Sequence, residues 1–403
     1  MFIAVLRETM AGERRVALVP DAVQQLVGMG HHVGVAAGAG EAAQHSDAAY
    51  RAAGADIHED VGELLSHAHV VLGIRPPAAE VQTVLRPGTV LIGLMGPLVN
   101  PQSMALLAQR GLVTFSLDAL PRISRAQSMD VLSAMSTVSG YRAVIMAAQL
   151  VERFLPMLMT SAGTIAPARF VVLGAGVAGL QAVATAHRLG AVVQAFDARP
   201  VVKEQVESLG ATFLALPDIQ AEGTGGYARA VAADEEERER QFLAGPVKAA
   251  DVVITTAMVP GSRAPLLISE EMVASMHAGA VIMDLAAEAG GNCAATVPGQ
   301  RVRAHGVIVD GATDLPSQMA NPSSQLYSRN VLNFLRLLID QGLQAADDAE
   351  APTLPGDGDE IVRATTITRD GEVVHAGTRQ RLESAMAAVA PPAAAPQGEG
   401  GRV

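Results

Sequence analysis

The run Phe170-Val171-Val172-Leu173-Gly174-Ala175-Gly176-Val177-Ala178-Gly179-Leu180-Gln181-Ala182 constrains the fold more than any other part of this 403-residue chain. It passes from an apolar, strand-like segment through G-x-G-x-x-G into an alanine-rich, helix-like one. The spacing gives each glycine a job. Gly174 makes the tight turn, Gly176 lets backbone approach a pyrophosphate, and Gly179 lets the helix pack closely on the strand. Val177 and Ala178, between the last two glycines, belong to the same cofactor-binding set. Eighteen residues past Gly179, Asp197 closes a second apolar run, 192–196. A carboxylate there accepts from the ribose 2′-hydroxyl of NAD(H) and repels the 2′-phosphate of NADP(H). Ala198 and Arg199 follow. Arg199 is open to three readings: it holds a phosphate, lies on the surface, or holds Asp197.

A second feature is the polar stretch Arg122-Ile123-Ser124-Arg125-Ala126-Gln127-Ser128-Met129-Asp130, continued by Ser133. It separates an apolar strand-like run from a long helix-like one. Forked guanidinium donors, an amide and a carboxylate suit a flat polar ligand such as a nicotinamide carboxamide. A solvated turn that opens a helix, capped by Ser124 or Ser128, has the same composition.

Apolar runs at 3–6, 32–36, 70–74, 90–94 and 113–116 alternate with helix-like segments such as 20–29 and 101–110, which predicts a parallel sheet covered by helices. A helix over 130–154 then leads to a second set of strands at 169–173, 192–197, 212–216, 251–256, 281–285 and 307–309. The fold class expected is α/β: two doubly wound, Rossmann-like parallel-sheet domains joined by long helices. A second connecting helix over 323–341 returns the chain to the first domain, and 360–375 reads as a β-hairpin. The first domain is thus discontinuous, 1–130 plus 325–380, and the nucleotide-binding domain spans 140–320. Residues 388–403, rich in Ala, Pro and Gly, read as a disordered tail. Parallel sheets bind ligands at the carboxyl ends of their strands, so Thr255, Thr256, Ala257, Asp284, Leu285 and the 290–292 turn with Asn292 should line the crevice.

A net charge of −12 argues against a nucleic-acid surface. A single cysteine, Cys293, excludes an intramolecular disulfide. The ten histidines fall in no zinc-binding pattern, so no metal site is expected. The N-terminus reaches Glu8 too early for a signal peptide, which points to the cytoplasm. The stretch 170–186 is membrane-like in hydropathy, but its glycines make it strand, turn and helix; no other run is read as long enough to span a bilayer.

The stretches PRISRAQSMDVLSAMSTVSGYR at 121–142, GAGVAG at 174–179, FDARPVVKEQVESLGA at 196–211 and DLAAEAGGN at 284–292 closely resemble proton-translocating nicotinamide nucleotide transhydrogenases of the alanine dehydrogenase/transhydrogenase family. The resemblance covers about residues 1–375 and points to the soluble NAD(H)-binding domain, made here as an alpha-type subunit. It implies Si/Re-specific hydride transfer between NADH on this chain and NADP+ on a partner, active only with partner subunits. It also implies that Arg122, Asp130 and Ser133 fix the nicotinamide carboxamide and that Gln127 lies between the two nucleotides. The implied partners are an NADP(H)-binding beta subunit, a membrane subunit that carries the protons, and a second copy of the chain. The implied location is the cytoplasmic face of the inner membrane, held peripherally through the complex.

Gly223, Gly225, Gly226 and Tyr227 form a glycine cluster leading to a tyrosine, which by residue type is either a floppy turn or a flap. The resemblance implies a loop that closes over bound nucleotide, with Tyr227 near its tip. Two other functions stay open. An alanine dehydrogenase shares the N-terminal pattern from Arg7-Glu8-Thr9 through Arg15 to Pro20, and Arg15 suits a substrate carboxylate. That family's mechanism uses a lysine and a histidine in the first domain, where this chain has Arg75 at the apparent lysine position and no histidine between His69 and His187. The remaining alternative is a non-catalytic NAD-binding module.

Overall fold

The structure is a computed structural model that describes all residues except 217–232, 259–262, 346–350 and 390–403. Two mainly parallel sheets form its frame, each covered by helices, as the alternation of runs leads one to expect. In the first sheet the strands β1 (Phe2–Val5), β2 (His32–Ala36), β3 (Asp56–His58), β4 (Val70–Leu72), β5 (Val90–Gly93) and β6 (Val113–Ser116) run in the order 3-2-1-4-5-6. The three-residue edge strand β3 escapes sequence reading because Asp-Ile-His, only partly covered, carries no apolar run.

A short hairpin, β7 (Leu158–Thr160) with β8 (Gly163–Ile165), stands between the sheets in sequence. The second sheet holds β9 (Arg169–Leu173), β10 (Val192–Phe196), β11 (Thr212–Phe213), β12 (Val252–Thr255), β13 (Val281–Asp284), β14 (Arg301–Ala304) and β15 (Val307–Asp310). Its order, 11-10-9-12-13-15-14, repeats the winding of the first sheet, with β14 added antiparallel. The order reverses at β9, which pairs with both β10 and β12. Ligands of such sheets sit outside the strand ends at that reversal.

The segment 360–375 corrects the hairpin reading in part. Residues Glu360–Thr365 form a helix capped by Asp359, whose carboxylate accepts from the Ile361 N–H at 2.8 Å. Only β16 (Thr366–Arg369) and β17 (Glu372–Val373) form a hairpin, turning at Asp370 and Gly371 with φ of +52° and +79°. That pair of positive φ values is what an Asp-Gly turn of the primed type demands. β16 joins the first sheet antiparallel to β6. The Ala376–Val389 helix also extends two residues past the expected start of the tail.

The helix expected over 130–154 spans Val131–Leu150. It ends at Val151, whose backbone is extended, five residues before Pro156. Among the described residues it is the one helix long and apolar enough to cross a membrane, which corrects the reading that no such run exists outside 170–186. Part of its apolar surface faces protein, while Leu132 and Tyr141 are exposed. Val131 and Met135 join the first core, and Ala143, Val144, Met146 and Ala147 join the second. A helix apolar on several sides belongs to an interior as readily as to a membrane. The second connecting helix, Ala320–Asp340, packs along it and contributes Tyr327, Phe334 and Leu335 to the first core.

Candidate nucleotide site

The glycine turn has the geometry that its spacing predicts. Gly174 has φ +97°, a conformation in which any Cβ is strained. A Cβ on Gly179 would overlap the carbonyl oxygen of Gly174, so the helix and the strand end approach as only glycine permits. Gly176 is different: a Cβ there meets nothing within 4 Å. Its absence leaves open backbone at the start of the Val177–Arg188 helix, where unpaired N–H groups and the helix dipole favour an anion. Val177 is exposed beside it, and Ala178 is half-buried. These residues fit a pyrophosphate.

Across the strand reversal, the Thr256 hydroxyl donates to the Gly174 carbonyl at 3.0 Å, and its amide donates to the Leu173 carbonyl at 2.8 Å. Ala257 is locked by Asn292. The Asn292 side chain accepts from the Ala257 N–H at 3.1 Å and donates to the Ala257 and Pro265 carbonyls at 2.9 and 2.8 Å. Every polar atom of that wholly buried amide is therefore used inside the protein, as a brace for the crevice wall. Asp284 anchors the next loop from below, accepting from Thr255, Thr296 and the amides of Ala286, Asn292 and Cys293. Leu285, half-buried, continues that wall.

Asp197 lies beside the turn, but its carboxylate is occupied. It accepts from Ala175 N–H at 2.7 Å, from Arg199 N–H at 2.9 Å, and from Arg199 Nε and Nη2 at 2.8 Å each. Four donors fill the acceptor sites of a carboxylate. Of the three readings of Arg199, the structure selects the one in which it holds Asp197; Ala198, between them, is half-buried.

Sequence reading missed Glu239, which belongs to a helix, Ala233–Ala249, hidden in what looks like a solvated acidic run. Its side chain is 2% exposed, and Oε1 has no hydrogen-bond partner. Phe242, one turn along the same face, packs its ring 6.0 Å from that of Phe196, the neighbour of Asp197. Burial, with help from Glu236, Glu235 and Asp197, raises the Glu239 carboxyl to about 7. The signal available in sequence was a 3–4 residue spacing of Glu239, Phe242, Leu243 and Val247, obscured by six charged neighbours and by Pro246.

The polar stretch forms a 3-10 turn, Ser124–Met129, before the long helix. Asp130 caps that helix, in place of Ser124 or Ser128: its carboxylate accepts from Ser133 N–H at 2.9 Å and from the Ser133 hydroxyl at 2.6 Å. Asp130 and Ser133 are thus one unit. Arg122 and Gln127 are exposed beside it. The same helix ties this turn to the glycine turn, because a Cβ on Gly140 would overlap the Ala178 carbonyl oxygen. Ten residues separate Asp130 from Gly140, about 15 Å of helix at 1.5 Å per residue. A dinucleotide whose pyrophosphate lies at Gly176 can span that distance. Gly226 and Tyr227 lie outside the described residues.

Arg15 and Arg75 belong to a separate cluster at the reversal of the first sheet. Arg15 is 4% exposed and grips Glu13 through Nε and Nη2 at 2.7 and 2.5 Å. Burial raises the Glu13 carboxyl, but the Arg15 hydrogen bonds and charge outweigh it and bring the group down to about 2. Arg75 reaches Asp314 of the second unit at 2.6 Å.

Comparison with known proteins agrees with this geometry. Residues 4–139 match the model of the alanine dehydrogenase/PNT N-terminal domain, and residues 143–376 match that of the C-terminal domain. The chain is 45% identical over 383 residues to an NAD(P) transhydrogenase alpha subunit of Rhodospirillum rubrum, covering 93% of this chain and 98% of the relative. The crystal structure of a transhydrogenase from Sinorhizobium meliloti superposes with a TM-score of 0.83 at 39% identity, over 93% of this chain and all of that one. Alanine dehydrogenase of Halomonas elongata is more distant, 31% identical over 86% of this chain and 90% of its own length. The chain therefore belongs to the alanine dehydrogenase/PNT family, and within it stands with the NAD(P) transhydrogenase alpha subunits.

Proposed function

We propose that this chain binds NAD(H) and presents it to NADP(H) held on a beta subunit, so that hydride passes directly between the two nicotinamides in the Si/Re-specific manner. A membrane subunit of the same complex moves the protons, and this chain sits peripherally on the cytoplasmic face of the inner membrane. The observation that carries the reading is the pairing of Gly140 with Ala178. It fixes the Arg122–Ser133 group at a set distance from the pyrophosphate cradle.

The bound nucleotide supplies the hydride. The protein's work is positioning and exclusion of water. Gly174, Gly176, Val177, Ala178 and Gly179 cradle the pyrophosphate. Thr256, Ala257 and Leu285 form the opposite wall, braced by Asn292. Arg122 donates to the carboxamide oxygen, and the Asp130–Ser133 unit meets its amide. Gln127 faces the partner's nucleotide. No general acid or base takes part.

At the adenosine end, Asp197 sets the charge that repels a 2′-phosphate, while Glu239, whose Oε1 is uncommitted, bonds a ribose hydroxyl. Two copies of the chain pair through the β7–β8 hairpin. A lone two-stranded ribbon is marginal in water, and this one carries Met159, 80% exposed, with Ile165, Met157 and Phe154 exposed nearby. Calorimetry on the isolated chain tests the core of this reading. NADH binding at least about tenfold tighter than NADPH, or about 1.4 kcal/mol, is expected; equal affinities contradict it.

A further inference from the structure

The Ser124–Met129 turn buries only Ala126 and Met129, so little of its own packing holds it. Three outside contacts do. The Ser128 carbonyl accepts from Asn330 Nδ2 at 2.9 Å and from Asn333 Nδ2 at 3.1 Å, both on the Ala320–Asp340 helix and one turn apart. Arg125 Nη1 pairs with Asp359 Oδ2 at 2.5 Å. Asp359 is itself fixed, since Oδ1 caps the Glu360–Thr365 helix. Asn330 is buried, and its Oδ1 has no hydrogen-bond partner. Leaving a buried acceptor unmet is unfavourable, and an aliphatic side chain of that size would avoid it. The amide is explained by what its other end holds.

We propose that Asn330, Asn333 and Asp359 are positioning residues, forming a clamp that holds the 124–129 turn so that Gln127 stands at a fixed height toward the second nucleotide. The inference rests on the hydride-transfer reading above. None of the three touches the nucleotide in that reading. They act through the turn, two from the long connecting helix and one from the segment that leads into β16. Displacing reacting groups by about 1 Å can lower a rate about a hundredfold, so a clamp on the turn bears on transfer more than on affinity.

Two surface substitutions test it in the full chain with its NADP(H)-binding partner. Arg125→Met removes the ion pair but leaves the Asp359 cap, and Asn333→Ala removes one of the two amide donors. Each is expected to keep NADH affinity within about twofold while single-turnover hydride transfer falls about tenfold or more. Arg125→Lys restores the charge and should recover most of the loss, though a point charge replaces a fork. Transfer that is unchanged in both variants overturns the clamp, as does an equal loss of affinity and rate. Amide exchange across 124–129 reads the clamp without the reaction: the double variant should exchange about tenfold faster, about 1.4 kcal/mol of lost protection, and unchanged exchange overturns it. Faster exchange with no hydride transfer in the unmodified chain would overturn the proposed reaction and leave the clamp standing.

Discussion

Gly140, in the middle of the long connecting helix, lies against the carbonyl oxygen of Ala178 with no room for a methyl group between them. By helix propensity alone, Gly140→Ala would stabilise the helix by about 1 kcal/mol. The obstacle is backbone, which cannot rotate away, and overpacking of that kind costs about 1–3 kcal/mol. The expected result is net destabilisation in denaturant unfolding and weaker NADH binding, since the two turns separate. A more stable Gly140→Ala variant with normal binding would show that the close approach is incidental.

Asp197 and Arg199 give a prediction about cofactor choice. In Asp197→Asn the negative charge goes, and with it the ion pair to Arg199, so the repulsion of the 2′-phosphate of NADPH is lifted beside a guanidinium. NADPH binding should tighten and the preference for NADH narrow by about tenfold, about 1.4 kcal/mol. Adding Arg199→Met to that variant should reverse the gain. Calorimetry with both nucleotides reads the effect; a preference that is unchanged in Asp197→Asn contradicts the assignment.

Glu239 predicts a pH dependence of stability. Its carboxyl lies at about 7 in the fold, against the ordinary glutamate value of 4.5. The folded state therefore binds the proton more tightly, and between pH 4.5 and 7 the group's contribution to stability falls as pH rises. Above pH 7 the full penalty applies, on the order of 3 kcal/mol at most. Glu239→Gln removes it. The variant should gain stability over the unmodified chain at pH 8 and show little or no gain at pH 4.5. The same gain at both values would mean that the charge is not what the fold resists. Glu13 works in the opposite sense, its stabilisation being lost as pH falls from 4.5 toward 2.

Much of this was legible in the sequence, for identifiable reasons. The glycines at 174 and 179 act through backbone geometry, which spacing reports directly. The strands β1, β2, β4, β5 and β6 announce themselves because both faces are covered, leaving continuous apolar runs. Sequence reading failed where a residue's role depends on a distant partner. The capping carboxylate proved to be Asp130 because Ser133 meets it from the next turn. Glu239 sits in a run of charges, and its burial depends on the packing of its helix, through Phe242, beside Phe196. Asn330 and Asp359 lie more than 200 positions from the turn they hold, and no local pattern marks such contacts.

Arg122 separates binding from transfer. Its proposed contact is to the carboxamide of the nucleotide on this chain, so Arg122→Ala should weaken NADH binding as well as turnover. A charged hydrogen bond of that kind contributes about 1.5–3 kcal/mol, or roughly ten- to a hundredfold in affinity. Fluorescence titration with NADH gives the number. Binding that is unaffected would remove Arg122 from the site.

The most direct test of the central claim is single-turnover hydride transfer in Gln127→Asn, measured with the NADP(H)-binding partner added and paired with NADH affinity of the isolated chain. The substitution shortens an exposed side chain by one methylene and touches nothing assigned to NAD(H). If Gln127 lies between two nucleotides, affinity should stay within about twofold while transfer falls on the order of a hundredfold, about 2.7 kcal/mol of barrier. Transfer at the unmodified rate would contradict the account and return the 124–129 turn to the role of a solvated helix start.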